Sequence, residues 1–177
     1  MPKTTLKNPA LGPYEAACLL GVHYTRIPRM AEQGVLRYRT LKSSTKTDRL
    51  RVYSWTDVEE NWRDYEHLFR TGQLPRRPRA NVDLRPGMLR EILDIESHIE
   101  FDDAISAYEA AEIMGVWWTW PPRMVAAGVI AGRTLLSHRE GPSRARIYSR
   151  RSCEENVQTA RRMAREGPQI GRKRHAL

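Results

Sequence analysis

The apolar positions of this chain fall into one pattern that is written twice. After Tyr14 they run Ala16, Ala17, Leu19, Leu20 and Val22, then Ile27 and Met30 three residues apart, then Val35 and Leu36. After Tyr108 the order returns as Ala110, Ala111, Ile113, Met114, Val116, Met124, Val129 and Ile130. Residues 14–41 and 108–135 align without a gap, sharing Glu15/Glu109, Gly21/Gly115, Pro28/Pro122, Arg29/Arg123 and Gly34/Gly128. They close on the trio Arg39-Thr40-Leu41 and Arg133-Thr134-Leu135. The match resumes at Tyr53-Ser54 against Tyr148-Ser149, and at Glu59-Glu60-Asn61 against Glu154-Glu155-Asn156. A repeat of this length is one supersecondary unit used twice.

Within the first unit, Gly12-Pro13 predicts the start of a short helix that turns at Gly21-Val22. Thr25 predicts the N-cap of a second helix over 26–33. Its Pro28 lies in the first turn, where the missing N–H has no intrahelical partner to lose. Ile27 and Met30 face inward, and Gly34 ends the helix. Val35 to Leu41 and Leu50 to Tyr53 alternate apolar and basic residues around a polar loop at 42–49, which predicts a β-hairpin with a basic tip. Ser54 and Asp57 form a near capping box for a third helix through Trp62, Tyr65 and Leu68. In the second unit Ser106 and Glu109 form a full box, Thr119 caps a helix opening on Pro121-Pro122, and Ser149 begins a last helix that stops before Gly167-Pro168.

The segments outside the repeat read differently. Residues 1–11 lack periodicity and are expected to be a flexible basic arm. Residues 71–80, TGQLPRRPRA, read as a linker. From Pro86 to Phe101, Met88, Leu89, Ile92, Leu93, Ile95 and Ile99 form an apolar stripe at helical spacing. Glu91, Asp94, Glu96 and Glu100 make the opposite face acidic. That helix is expected to brace the two repeats or to bury its stripe in a second copy. The resulting division is an arm at 1–12, one domain at 13–70, a linker with an amphipathic helix at 71–104, a second domain at 105–167 and a basic tail at 168–177. The fold class is mainly α with small β-hairpin wings.

Charge narrows the partners. The net charge of +9 and pI near 10.0 point to an anionic partner, most simply nucleic acid. Cys18 and Cys153 occupy non-equivalent positions and read as buried thiols rather than a disulfide or a metal site. No apolar run reaches the roughly 20 residues a membrane span needs, so a cytoplasmic location is the default. The five histidines are scattered, and neither a phosphate loop nor a nucleophile motif is present. The expectation is therefore no catalysis, no cofactor and no metal.

The order Glu-Ala-Ala, Gly-Val, Gly-Val-Leu, basic hairpin and Tyr-Ser-x-x-Asp-Val, carried by residues 15–22, 34–36 and 53–58, resembles the winged helix-turn-helix of MerR-type regulators and phage excisionases. Residues 109–116, 128–130 and 148–149 carry it in the second repeat. The resemblance implies two tandem winged helix-turn-helix domains on double-stranded DNA, with the second helix of each in the major groove and the wing on a neighbouring backbone. Carried over, His23, Tyr24, Thr25, Arg26 and Arg29 sit at the groove-facing end. Arg37, Arg39, Lys42, Lys46, Arg49 and Arg51 surround the first wing. Arg123 and, around the second wing, Arg133, Arg139, Arg144 and Arg146 complete the set. Trp117, Trp118 and Trp120 replace His23, Tyr24 and Arg26. Indole offers a single donor for base edges, so packing or partner binding is favoured there. The implied role is a transcriptional regulator or excisionase-like architectural factor of phage, plasmid or bacterial type. The alternative is a DNA-anchored adaptor whose first domain binds DNA and whose Trp-rich second domain binds a protein. Self-association is open through 86–101 or the tryptophan segment.

Overall fold

Each repeat builds a three-stranded antiparallel sheet with short helices on one face, in a computed structural model that describes residues 7–43, 50–61, 92, 95, 97–137 and 145–167. The linker at 71–80, the hairpin tips, the tail and most of the acidic segment lie outside the described residues. The first repeat comprises β1 (Ala10–Leu11), α1 (Pro13–Leu20), α2 (Arg26–Glu32), β2 (Tyr38–Thr40) and β3 (Arg51–Ser54), with helix continuing over 55–61. The second comprises β4 (Ala104–Ile105), α3 (Ala107–Met114), α4 (Trp120–Ala126), β5 (Gly132–Thr134), β6 (Arg146–Ser149), α5 (Arg150–Glu155) and α6 (Val157–Glu166). The strand orders are β1-β3-β2 and β4-β6-β5.

Local chemistry explains most boundaries. Gly21 (φ 65°) and Gly115 (φ 66°) end α1 and α3 in the left-handed conformation that a residue lacking Cβ adopts without strain. Ser106 accepts from the Glu109 N–H at 3.2 Å while Glu109 accepts from the Ser106 N–H at 2.9 Å, the expected capping box. Gly12 has no side chain, so only the Glu15 half of that box remains, at 2.7 Å. The near box at Ser54 is also half formed. Ser54 Oγ accepts from the Asp57 N–H, but the Asp57 carboxylate turns to the Arg37 guanidinium and N–H instead.

Two expectations are corrected here. Residues 8–11 are not a loose arm: β1 pairs with β3 in the register Ala10↔Ser54 and Leu11↔Tyr53, and Ala10 and Leu11 are fully buried. Too short to show a period, this stretch is held by backbone pairing. Nor does the acidic helix run to Phe101. Residues 99–101 are extended, with the Ala10 N–H donating to the Ile99 carbonyl at 2.7 Å and the Phe101 N–H to the Asn8 carbonyl at 2.8 Å. Ile99 and Phe101 are buried on either side of Glu100, a period of two rather than 3.6. Glu100 in turn accepts from the backbone N–H groups of Lys7 and Asn8.

The same period of two organises the sheets. In β3, Tyr53 faces the first repeat's own helices, packing with Leu11, Ala17, Ile27 and Leu36, while its neighbour Val52 faces the other way. In β6, Tyr148 packs with Ile105, Met114 and Met124, and Ile147 faces away. The outward residues meet in one cluster: Ala10, Leu41 and Val52 from the first repeat, Ala104, Leu135 and Ile147 from the second, with Ile99 and Phe101 between. Both sheets are therefore covered on both faces. Ile92 and Ile99, from the predicted stripe, are buried in the first core and in this shared cluster respectively.

His98 lies beside that junction, 8% exposed, with its ring 5.9 Å from Trp55 in an edge contact. Among the described residues neither ring nitrogen has a hydrogen-bond partner. Burial, and then the positive charge of Arg133, push its pKa down from 6.5 to about 4. The unfolded chain thus binds more protons than the folded one between those values. Stability is full above about pH 6.5 and falls as pH drops toward 4, by up to about 3 kcal/mol for a shift of this size. Denaturant titrations at stepped pH should show this slope, and His98→Leu should remove it; an unchanged slope in the variant would assign it to the carboxylates.

Candidate nucleic-acid interface

In the first repeat α2 is amphipathic at close quarters. Ile27 is fully buried and Ala31 nearly so, Met30 packs against the same core, and Arg26 and Arg29 are exposed. The turn before it is shaped by its own side chains. Tyr24 stacks on His23 with ring centroids 4.6 Å apart and packs against Tyr14, also at 4.6 Å. The Thr25 N–H donates to His23 Nδ1 at 3.2 Å, and the Thr25 hydroxyl lies 2.7 Å from the same nitrogen. With Nδ1 accepting, the neutral imidazole carries its hydrogen on Nε2. Thr25 does not cap α2 as expected: its backbone is already helical (φ −65°, ψ −15°) and its hydroxyl meets His23 rather than the helix.

The cations expected to meet DNA separate into three groups. Arg39 and Arg133, equivalent in the repeat, point into the junction rather than outward. Arg39 donates to the carbonyls of Phe101 and Ala104 at 2.6 and 3.1 Å. Arg133 donates to the Ala10 carbonyl at 2.7 Å and makes a two-pronged contact with Glu15 at 2.7 and 2.9 Å. Strand alternation is the reason: each lies in register with Val52 or Ile147, on the face the other repeat covers. Arg133 is thereby buried, and Arg39 is half-buried with its Nη1 held by the two carbonyls.

Arg37, Arg51 and Lys42 form a second group, engaged at the surface. Arg37 grips Asp57 with Nε and Nη2, and its backbone N–H donates to the same carboxylate at 2.6 Å. Burial opposes ionisation of Asp57, but these bonds outweigh it and hold the carboxyl below its ordinary value. Arg37 thereby pins the start of the hairpin to the helix at 55–61. Arg51 lies over the Tyr38 ring at 5.0 Å and 3.5 Å from Glu32, and Lys42 is 3.5 Å from Glu112 on the second repeat. Long exposed pairs of this kind contribute only about 0–1 kcal/mol, so both cations can exchange partners for a phosphate. The third group, Arg26, Arg29, Arg123 and Arg146, is exposed. Lys46, Arg49, Arg139 and Arg144 lie outside the described residues.

The second repeat's leading end differs in kind. Trp117 is 75% exposed and Trp118 59%. Trp120 instead packs on its own core, with the Arg123 guanidinium 5.3 Å above its ring. Of the two expected roles, packing describes Trp120, while Trp117 and Trp118 are not packed and leave partner binding open for that end. Both lie in the turn between α3 and α4, outside the second core. Reading the sequence did not single out Arg161, Arg162 and Arg165. They share α6 with few apolar residues, and only the fold brings α6 against the Gly115 turn, where Arg161 Nε donates to the Met114 carbonyl at 3.1 Å.

Among the described residues no group of three or more histidine, cysteine or acidic side chains is placed to hold a metal ion, and no helix is long and apolar enough to cross a membrane. Cys18 and Cys153 are free thiols, Cys153 pushed up to about 12 first by burial. No protein-family model, curated protein or solved structure matches this chain.

Proposed function

We propose that the chain is a sequence-specific double-stranded DNA-binding protein built from two winged helix-turn-helix units of MerR/excisionase type, acting as a transcriptional regulator or excisionase-like architectural factor. The observation that carries this reading is α2, which buries Ile27 and Ala31 and leaves Arg26 and Arg29 exposed at a turn occupied by His23, Tyr24 and Thr25. An arginine exposed at that place can donate two N–H groups to guanine O6 and N7, or to the oxygens of a phosphate. The net charge of +9 adds the non-specific attraction. Because the two repeats share a buried junction, the second unit is delivered to DNA at a fixed position once the first has bound, which raises its effective concentration. Nucleoid association in a bacterial cytoplasm belongs to the same proposal.

Selection of the protein against a randomised duplex pool at moderate salt tests it. Two half-sites at constant spacing would mean both units read DNA; one short half-site would leave reading to the first. No enrichment over the input would remove sequence-specific binding. On the selected site Arg26→Ala should cost about 1–3 kcal/mol, with a much smaller loss on random duplex. Equal losses on both would reduce Arg26 to a phosphate contact. A second reading, an adaptor anchored to DNA by the first unit, is favoured by the exposure of Trp117 and Trp118.

A further inference from the structure

We propose that the groove between the Gly115–Trp120 turn and α6 binds an acidic amphipathic peptide segment of a partner protein. The groove, of about 410 Å³, has one apolar wall of Val116, Trp117, Trp120 and Ala164 and one cationic wall of Arg161 and Arg165. Among the described residues no acidic one lines it. Arg161 and Arg165 are one helical turn apart on α6, roughly 6 Å along the axis, the spacing at which a helical peptide presents carboxylates at i and i+4. Its apolar face would then lie on the indoles, the helix-in-groove mode of recognition. Tryptophan and arginine are also the residues that dominate binding energy at protein interfaces.

The site is built, not incidental. Arg161 is held over Gly115: its guanidinium lies 3.2 Å from where a Cβ would stand, and its Nε bonds the Met114 carbonyl. Gly115 at φ 66° leaves that space open. The first repeat departs from this arrangement. Tyr24 folds back on Tyr14 there, whereas in the second repeat Trp118 is exposed and Tyr108, the counterpart of Tyr14, is 37% exposed. The second turn therefore presents aromatic surface that the first keeps for itself. A DNA duplex offers no base face to an indole. A single strand would supply phosphates for the arginines but has no apolar side chains to fill the Val116–Ala164 wall. The partner chemistry that matches both walls is a peptide with carboxylates on one face and Leu, Ile or Phe on the other. This inference rests on the adaptor reading, in which the second repeat's leading end meets a protein while the first repeat's α2 binds DNA, and the duplex selection tests that first binding separately.

The test is display selection of randomised 12-residue peptides on the full-length protein, followed by anisotropy with the labelled winners and, separately, with a 12-nucleotide oligothymidylate. Enrichment of acidic residues four apart, with large apolar residues at helical spacing on the other face, is expected. Trp117→Ala and Arg165→Glu should each weaken binding at least tenfold, and Arg26→Ala should leave it unchanged. Both replaced residues are exposed, and circular dichroism checks that the variants fold. Peptides insensitive to both groove variants, or no enrichment, would overturn the proposal. So would oligothymidylate binding that is tighter than peptide binding and lost in Trp117→Ala, which would reassign the groove to single-stranded nucleic acid. Concentration-dependent self-association abolished by Trp117→Ala would overturn it in favour of a second copy of this chain.

Discussion

Replacing Glu15 by alanine should destabilise the protein by about 3–5 kcal/mol, the usual cost of removing one partner from a buried ion pair. The Glu15 side chain is fully buried and that of Arg133 is 4% exposed. The carboxylate accepts from the Gly12 and Leu136 backbone N–H groups as well as from both terminal nitrogens of Arg133. Without it, the guanidinium is left in a dry junction with only carbonyl acceptors, and two backbone donors lose their partner. Arg133→Met should be nearly as costly alone, because it strands the carboxylate. The double replacement should cost clearly less than the two single costs combined, since no uncompensated charge remains. Urea denaturation of the four proteins measures this cycle. Additive single effects would show that the two side chains do not interact in solution. The pair also joins α1 of one repeat to β5 of the other, so its loss should loosen the docking of the two repeats.

Phe101→Ala should cost about 3–5 kcal/mol, the range for deleting a buried aromatic ring. It should also change how the molecule unfolds. Phe101 is 5% exposed in the cluster formed by the outward faces of the two sheets. Its backbone is fixed from both sides, the N–H donating to Asn8 and the carbonyl accepting from Arg39. With the ring present, the two repeats should melt in a single transition with matching calorimetric and van't Hoff enthalpies. Without it, the apolar side chains left in that cluster are aliphatic, and the repeats should separate into two transitions. Scanning calorimetry distinguishes the cases. Two transitions already present in the parent protein would mean the junction does not couple the repeats.

The sequence by itself determined the unit and its repetition. The glycines at 21 and 115 are readable because no side chain is tolerated cheaply at positive φ, and Ser106 with Glu109 because a capping box is closed within four residues. The exposed arginines of α2 follow from the burial of Ile27 three residues before Met30. Each of these is a local relation, decided within a turn of helix. What only the tertiary structure decided lies at long range. Val52-Tyr53 and Ile147-Tyr148 are adjacent apolar pairs, the mark of a strand covered on both faces, but the pairs do not say what covers them. The answer, the other repeat, turns Arg39 and Arg133 from expected wing contacts into junction residues and gives Glu15 its partner 118 positions away. The strand β1 and the extended segment at 99–101 are invisible to periodicity because each holds two or three residues and gains its order from a partner strand. The Trp117 groove likewise depends on α6 arriving beside a turn from which it is separated by a whole hairpin. Local spacing specifies which faces are apolar; only docking specifies what those faces meet.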